Sequence, residues 1–260
     1  MRKYLRILQY AARDQLAYLP AFLMRNLFFV IILFIFSSLW KVIYADHPLI
    51  AGLSIVQALW YLTFTETMEL SKSRLLSRIQ EEVKDGTLAV ALTRPYSYPV
   101  SHFVHAMGES AVRMIPILAV GFVCATLFVG PLPGYLTALP FGLVLLLCGI
   151  ALNTLWLLCI GLLAFWSEEV SPYYWVVQKL IFILGGLFMP IDMFPGWLAG
   201  IAKALPFAFN AYWPAYTMVH FSFPVFLTGL AGAACYIAAL SGIAALLFAM
   251  GKRRVHAQGG

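Results

Sequence analysis

The chain has 260 residues, of which 62% are hydrophobic and only 11% charged, with a formal net charge of +6. Soluble domains carry roughly 25% charged residues. The deficit excludes a soluble enzyme on a membrane anchor and predicts an all-α integral membrane protein with short loops.

In chain order, Leu5, Leu8, Ala12 and Leu16 recur at helical spacing, with Arg2, Lys3, Arg6 and Arg13 elsewhere on the wheel. Residues 1–18 are therefore predicted to form an amphipathic helix lying on the membrane face. The first apolar run is interrupted by Arg25 and lacks a small-x-small cleavage site, so no cleavable signal peptide is expected. Six spans follow from the hydropathy pattern: Leu19–Trp40, Pro48–Thr67, His102–Val129, Tyr135–Trp166, Pro172–Met189 and Phe223–Met250. Between Arg113 and Lys179, 65 residues carry only two charges, the adjacent Glu168 and Glu169. Cys124, Cys148, Cys159 and Cys235 all fall in apolar runs and read as packing residues.

Twelve of the seventeen lysines and arginines fall in the N-terminal segment, the connection after the second span and the C-terminal tail. The positive-inside rule makes that side cytoplasmic, with both termini inside. Basic residues beside apolar segments fit anionic lipid headgroups and do not make a nucleic-acid face.

The connection 66–99 is the one long polar stretch. Leu75, Leu76, Ile79 and Val83 make a narrow apolar stripe, and Glu69, Lys72, Arg74, Arg78, Glu81 and Glu82 are expected to solvate the other faces. Asp85-Gly86 stops that helix, because glycine accepts the left-handed conformation. Leu88 to Leu92 form an apolar patch, and Arg94-Pro95 forces an extended exit. A charged helix, a sharp stop and an apolar elbow predict a docking surface for another protein. Further on, Gly185-Gly186 ends the fifth segment, and residues 190–206 are apolar but too short to span. Flanking prolines with Trp197 and Trp213 suit a re-entrant hairpin in the outer leaflet.

Enzyme signatures are missing. His102 and His105 sit three apart without a zinc-binding Glu, and no Gly-x-Ser-x-Gly elbow or Walker A sequence occurs. For an ion-coupled transporter the best candidates are Arg25 and Lys179, beside Asn153 and Gln178, with no acidic relay in the spans. Lys179 is placed to snorkel toward Glu168 or Glu169. Glu109 and Arg113, four apart, read as a local ion pair at the membrane interface. Gly229, Gly232, Ala233, Ala239, Gly242 and Ala245 permit close helix approach in the last span, within the subunit or between subunits.

Two stretches carry a resemblance. Glu82-Val83-Lys84-Asp85-Gly86-Thr87-Leu88 with Leu92-Thr93-Arg94-Pro95, and Pro190-Ile191-Asp192-Met193-Phe194-Pro195-Gly196-Trp197, are similar to stretches of ABC-2-type exporter permeases. Leu205-Pro206-Phe207 continues the likeness, and the large extracellular domain of some relatives is missing. The resemblance implies one transmembrane permease domain over 1–260 that pairs with an identical or related permease. Separate ABC ATPase subunits would hydrolyse ATP with magnesium, so the chain needs no cofactor of its own. Arg74, Arg78, Glu81, Glu82, Lys84 and Asp85 are the implied ATPase-coupling residues, and Pro190, Asp192, Phe194, Pro195 and Trp197 the implied outer gate. A bacterial inner membrane is the implied location. The alternatives are a non-transporting membrane protein that recruits a cytosolic partner, and an ion-coupled secondary transporter.

Overall fold

The computed structural model describes residues 6, 7, 10, 19–167 and 169–258. The predicted interfacial helix over 1–18 thus lies outside the described residues, apart from Arg6, Ile7 and Tyr10, which are helical. The rest folds as α1 (Leu19–Ile43), α2 (Ile55–Leu70), α3 (Leu75–Lys84), α4 (Leu88–Thr93), α5 (Tyr98–Val129), α6 (Tyr135–Leu162), α7 (Ser171–Leu184), α8 (Gly196–Ala204), α9 (Tyr212–Val219) and α10 (Phe223–Gln258). Single 3-10 turns follow α6 at Leu163–Phe165 and precede α8 at Ile191–Met193. No strand occurs among the described residues.

Four helices are long and apolar enough to cross a bilayer: α1, α5, α6 and α10. Large apolar side chains stay outward on them, among them Leu23, Phe28, Phe34, Leu127, Leu136 and Leu246. A surface of that kind is stable only in lipid, so this is an integral membrane protein. The expected second and fifth spans are helical but short. α2 has 16 residues and α7 has 14, about 24 and 21 Å against a hydrocarbon core of about 30 Å. Residues 48–54 are spent on a turn bridged between Ile50 and Leu53. α7 stops at Gly185-Gly186, where Gly186 takes φ +69°. Residues 190–206, expected as a re-entrant hairpin, contain the 3-10 turn followed by the nine-residue α8.

Two helices form the interior. In the most apolar window of α6, 61% of residues are buried, against 17% in that of α10, which places α6 in the core and α10 on the rim. α2 is buried without interruption from Ala58 to Met68, so it faces protein on every side. Its hydroxyls, and that of the Ser71 cap, are spent on backbone groups. Thr63, Thr67 and Ser71 each donate to the carbonyl four residues back, at 2.8, 2.7 and 2.5 Å. Its start is closed by a capping box between Ser54 and Gln57.

The remaining donors of α2 satisfy the ends of other helices. Trp60 Nε1 donates to the Gly130 carbonyl past α5 (3.0 Å), and Gln57 Nε2 to the Val219 carbonyl at the end of α9 (3.2 Å). Tyr61 Oη donates to the Gly186 carbonyl (2.5 Å) and Thr65 Oγ1 to the Leu187 carbonyl (3.1 Å), both just past α7. An open helix end inside a membrane costs several kcal/mol per unmet group, so α2 serves as the hub on which three neighbouring helices can stop.

Glycine sets the closest approaches. A Cβ at Gly149 of α6 would sit 2.6 Å from the Asn210 backbone oxygen. Because backbone cannot swing aside, Gly149→Ala is expected to cost about 1–3 kcal/mol, read as a lower melting temperature of the purified protein. Of the small residues in the last helix, Gly229 meets Leu145 and Gly232 the Phe209 ring, while Gly242 faces open space. The first two therefore pack within the chain.

Candidate functional site

The connection after α2 is the most heavily charged part of the fold, and its helix α3 has two distinct polar faces. Leu75, Leu76 and Ile79 are buried on the end of α6, where Gly161 leaves room for the Ile79 side chain. Asp85 caps α3 and Gly86 follows at φ +71°, the stop that the Asp-Gly pair predicts. α4 then turns Leu88 inward and leaves Val90 62% exposed. Arg94 exits in extended conformation before Pro95.

Of the six expected coupling residues, Arg74, Glu81, Lys84 and Asp85 are exposed. Arg78 and Glu82 are not solvating residues, contrary to the amphipathic reading of this helix. Glu82 accepts from Tyr98 Oη at 2.6 Å and pairs with His102 Nε2 at 3.2 Å. Burial opposes its ionisation, yet the bonds from His102 and Tyr98 outweigh burial and hold the carboxyl below the usual carboxylate range. Arg78 donates to His105 Nδ1 at 2.8 Å and to Glu109 Oε2 at 3.4 Å. The physical reason is geometric: positions 75, 78, 79 and 82 share one side of a helix, so the face that buries leucine also carries Arg78 and Glu82 inward.

Glu109 lies at the centre of this end, only 1% exposed. It pairs with Arg113, as the four-residue spacing predicts, and the pair also reaches beyond its own helix. Glu109 also accepts from the Arg74 backbone N–H (3.4 Å), and Arg113 donates to the Lys72 carbonyl (2.5 Å). Two side chains of α5 thus hold both ends of the turn that leads from α2 into α3. Lys72 itself pairs with Glu69 at 2.5 Å, and Glu69 accepts from Gln178 of α7 at 3.3 Å. A buried ion pair with further hydrogen bonds positions what it touches more than it stabilises. Here it ties α3 and the end of α2 to α5.

Lys179 does not reach Glu169. It is exposed and lies 5.8 Å from the centre of the Phe182 ring. Glu169 is taken instead by Lys84 at 3.2 Å, and hydrogen bonds from Ser171, then from Lys84 and Gln80, hold its carboxyl down at about 2. Glu168 lies outside the described residues. Arg25 lies within electrostatic reach of Arg74 and Glu109, so it belongs to the same charged cluster.

At the other end of the bundle, Pro190 is buried and opens the 3-10 turn, and Pro195 opens α8. Asp192 accepts from Lys203 at 2.7 Å and from Tyr212 Oη at 3.2 Å, which ties the turn to α8 and α9. Phe194 is half-buried and Trp197 is 71% exposed. Trp213 and Tyr236 donate to the Lys203 and Ala204 carbonyls at the end of α8 (3.1 and 2.6 Å). The five expected gate residues therefore lie on one short, braced segment that begins four residues after Gly186.

The residues missed by sequence reasoning are Gln57, Trp60, Tyr61 and Thr65 on α2, and Tyr98 and Ser71 at the charged end. Their one signal was polarity inside an apolar run. The arrangement defines a class: a helical membrane protein whose buried central helix leads into a charged connection at one end and, from its middle, bonds the backbone just before a braced turn. Residues 22–259 match the ABC-2 family transporter protein family, and the chain belongs to that family. No curated protein matches the chain. Membership makes it a membrane permease subunit of an ABC transporter, a type of subunit that works with ABC ATPases.

Proposed function

We infer that this chain is the permease of an ATP-driven exporter, with α3 and α4 seated on an ATPase subunit on the cytoplasmic side. In that reading the chain crosses the bacterial inner membrane six times. α2 and α7 count as short crossings, and residues 190–206 re-enter the outer leaflet. Both termini are cytoplasmic, as the lysine and arginine distribution requires. A second permease, identical or related, completes the pathway, and the partner ATPases hydrolyse ATP with magnesium. Arg74, Glu81, Lys84 and Asp85 offer the exposed charges for that contact, and Arg78 and Glu82 carry movement inward. Pro190, Asp192, Phe194, Pro195 and Trp197 help close the outer gate.

One observation supports this reading above the others. α2 is clamped just past its C-terminal end by Arg113 on the Lys72 carbonyl, and from mid-helix Tyr61 and Thr65 hold the Gly186 and Leu187 carbonyls before the gate segment. A buried helix tied past its C-terminal end and again along its middle is a physical route for displacement of α3 to reach the turn at Ile191–Met193. The test is purification of the tagged chain from its native membrane. A nucleotide-binding subunit should accompany it, and solute flux in vesicles should need ATP. Vectorial flux by the chain alone, with no nucleotide-hydrolysing companion, would overturn the reading.

A further inference from the structure

A crevice of about 230 Å³ opens at the charged end, lined by Arg78, Glu82, Arg94, Tyr98, His102 and His105, with Tyr10 of the N-terminal segment at one side. Its walls come from α3, the exit from α4 and the first turns of α5, so it sits where the coupling helix meets the membrane helices. The charges around it do not balance. Among the described residues Glu109 sits at the centre of four guanidiniums: Arg78 and Arg113 bond to it, and Arg25 and Arg74 lie within electrostatic reach. Glu82 is within electrostatic reach of Arg78 and Arg94 and is engaged directly by Tyr98 and His102. Arg94, at the rim, is exposed and spends one N–H on the neutral Tyr96 hydroxyl at 2.9 Å. Because Arg78 donates to His105 Nδ1, the proton of the neutral ring lies on Nε2, which makes that nitrogen a donor. The lining is thus rich in donors and positive charge, beside aromatic surface and at the end of the bundle where α5 begins.

We propose that this crevice binds a phosphate-bearing anion, with Arg94 and Arg78 as its charged ligands and the aromatic side chains as its apolar wall. A basic crevice between membrane helices on the positive side suits an anionic lipid headgroup, and a soluble phosphate ester offers the same chemistry. A guanidinium fork matches phosphate oxygens two at a time. An occupant would bridge Arg94 on the elbow to Arg78 on α3 and so brace the coupling helix against α5. The inference requires the chain to sit in a membrane. It does not require an ATPase partner, so the two readings fail separately.

The test uses the full chain in nanodiscs of phosphatidylcholine, with or without phosphatidylglycerol, with retained lipid counted by native mass spectrometry and the melting temperature recorded. Phosphatidylglycerol should be retained in preference and raise the melting temperature. Arg94→Gln should cut retention by about five-fold, the effect of one basic side chain near an anionic headgroup, and Arg94→Lys should keep most of it. Arg94 is exposed, so this variant tests the site without disturbing the buried pair at Glu109. Lys252→Gln, at the same end but away from the crevice, should leave retention unchanged. Glycerol 1-phosphate supplies the soluble arm. Failure to displace the lipid assigns the site to headgroups, whereas displacement together with binding in detergent assigns it to a soluble phosphate ester. Equal retention of the two lipids, or equal loss in Arg94→Gln and Lys252→Gln, would overturn the proposal.

Discussion

Glu109→Ala is expected to cost the fold about 3–5 kcal/mol, because it strands charged groups that burial has already taken out of water. The carboxylate balances Arg113 and Arg78 and accepts the Arg74 backbone N–H. Without it, Arg113 keeps the Lys72 carbonyl but loses the carboxylate it pairs with. The melting temperature should fall on the order of 10 °C, and flux should be lost with it. Pairing the change with Arg113→Met should recover part of the loss, since removing both charges is far cheaper than removing one. An unchanged melting temperature in Glu109→Ala would show that the cluster does not hold this end of the bundle together.

Charge reversal on the outward face should do the opposite: abolish coupling and spare the fold. Glu81 and Asp85 are exposed on the last turn of α3, beside the exposed Val90 on the elbow. In a complex with the ATPase, Glu81→Arg with Asp85→Arg should lower stimulation of ATP hydrolysis at least about ten-fold, through like-charge repulsion at a docking rim. The melting temperature of the isolated chain should stay within about 2 °C, as surface substitutions usually do. Glu82→Gln is the contrast. It weakens the bonds from Tyr98 and His102, so its effect should appear in the melting temperature before any partner is added. Full stimulation in the reversed pair would remove α3 from the docking surface.

The contrast between Glu81 and Glu82 shows where one-dimensional reading stopped. Both are glutamates on a short, charged, amphipathic helix, and both read as solvating residues from their charge, although the spacing from Leu75 and Ile79 brings Glu82 round to the buried side. The packing of α3 against the first turns of α5 gives Glu82 its partners, because Tyr98 and His102 come from 16 and more residues away. Glu109 and Arg113 show the same limit. Their spacing made the pair legible, while the backbone groups of Arg74 and Lys72 that complete it were not.

Length limits mattered elsewhere. The apolar runs of α2 and α7 read as spans of ordinary length, yet Gly185-Gly186 and the turn over 48–54 shorten both. The short helices are tolerated because Trp60, Tyr61, Thr65 and Gln57 meet the backbone groups that their neighbours leave open.

Composition alone made this a membrane protein, since so few charges cannot solvate a surface of this size in water. Local chemistry settled the stop at Gly86 and the extended exit at Arg94, because φ and ψ preferences act over one or two residues. The tertiary fold decided which helix is central, which charges face inward and where the short helices end. Those outcomes depend on hydrogen bonds between groups as many as 162 residues apart, as for Gln57 and Val219. In a medium without water, unmet backbone groups must find protein partners at whatever separation the fold supplies.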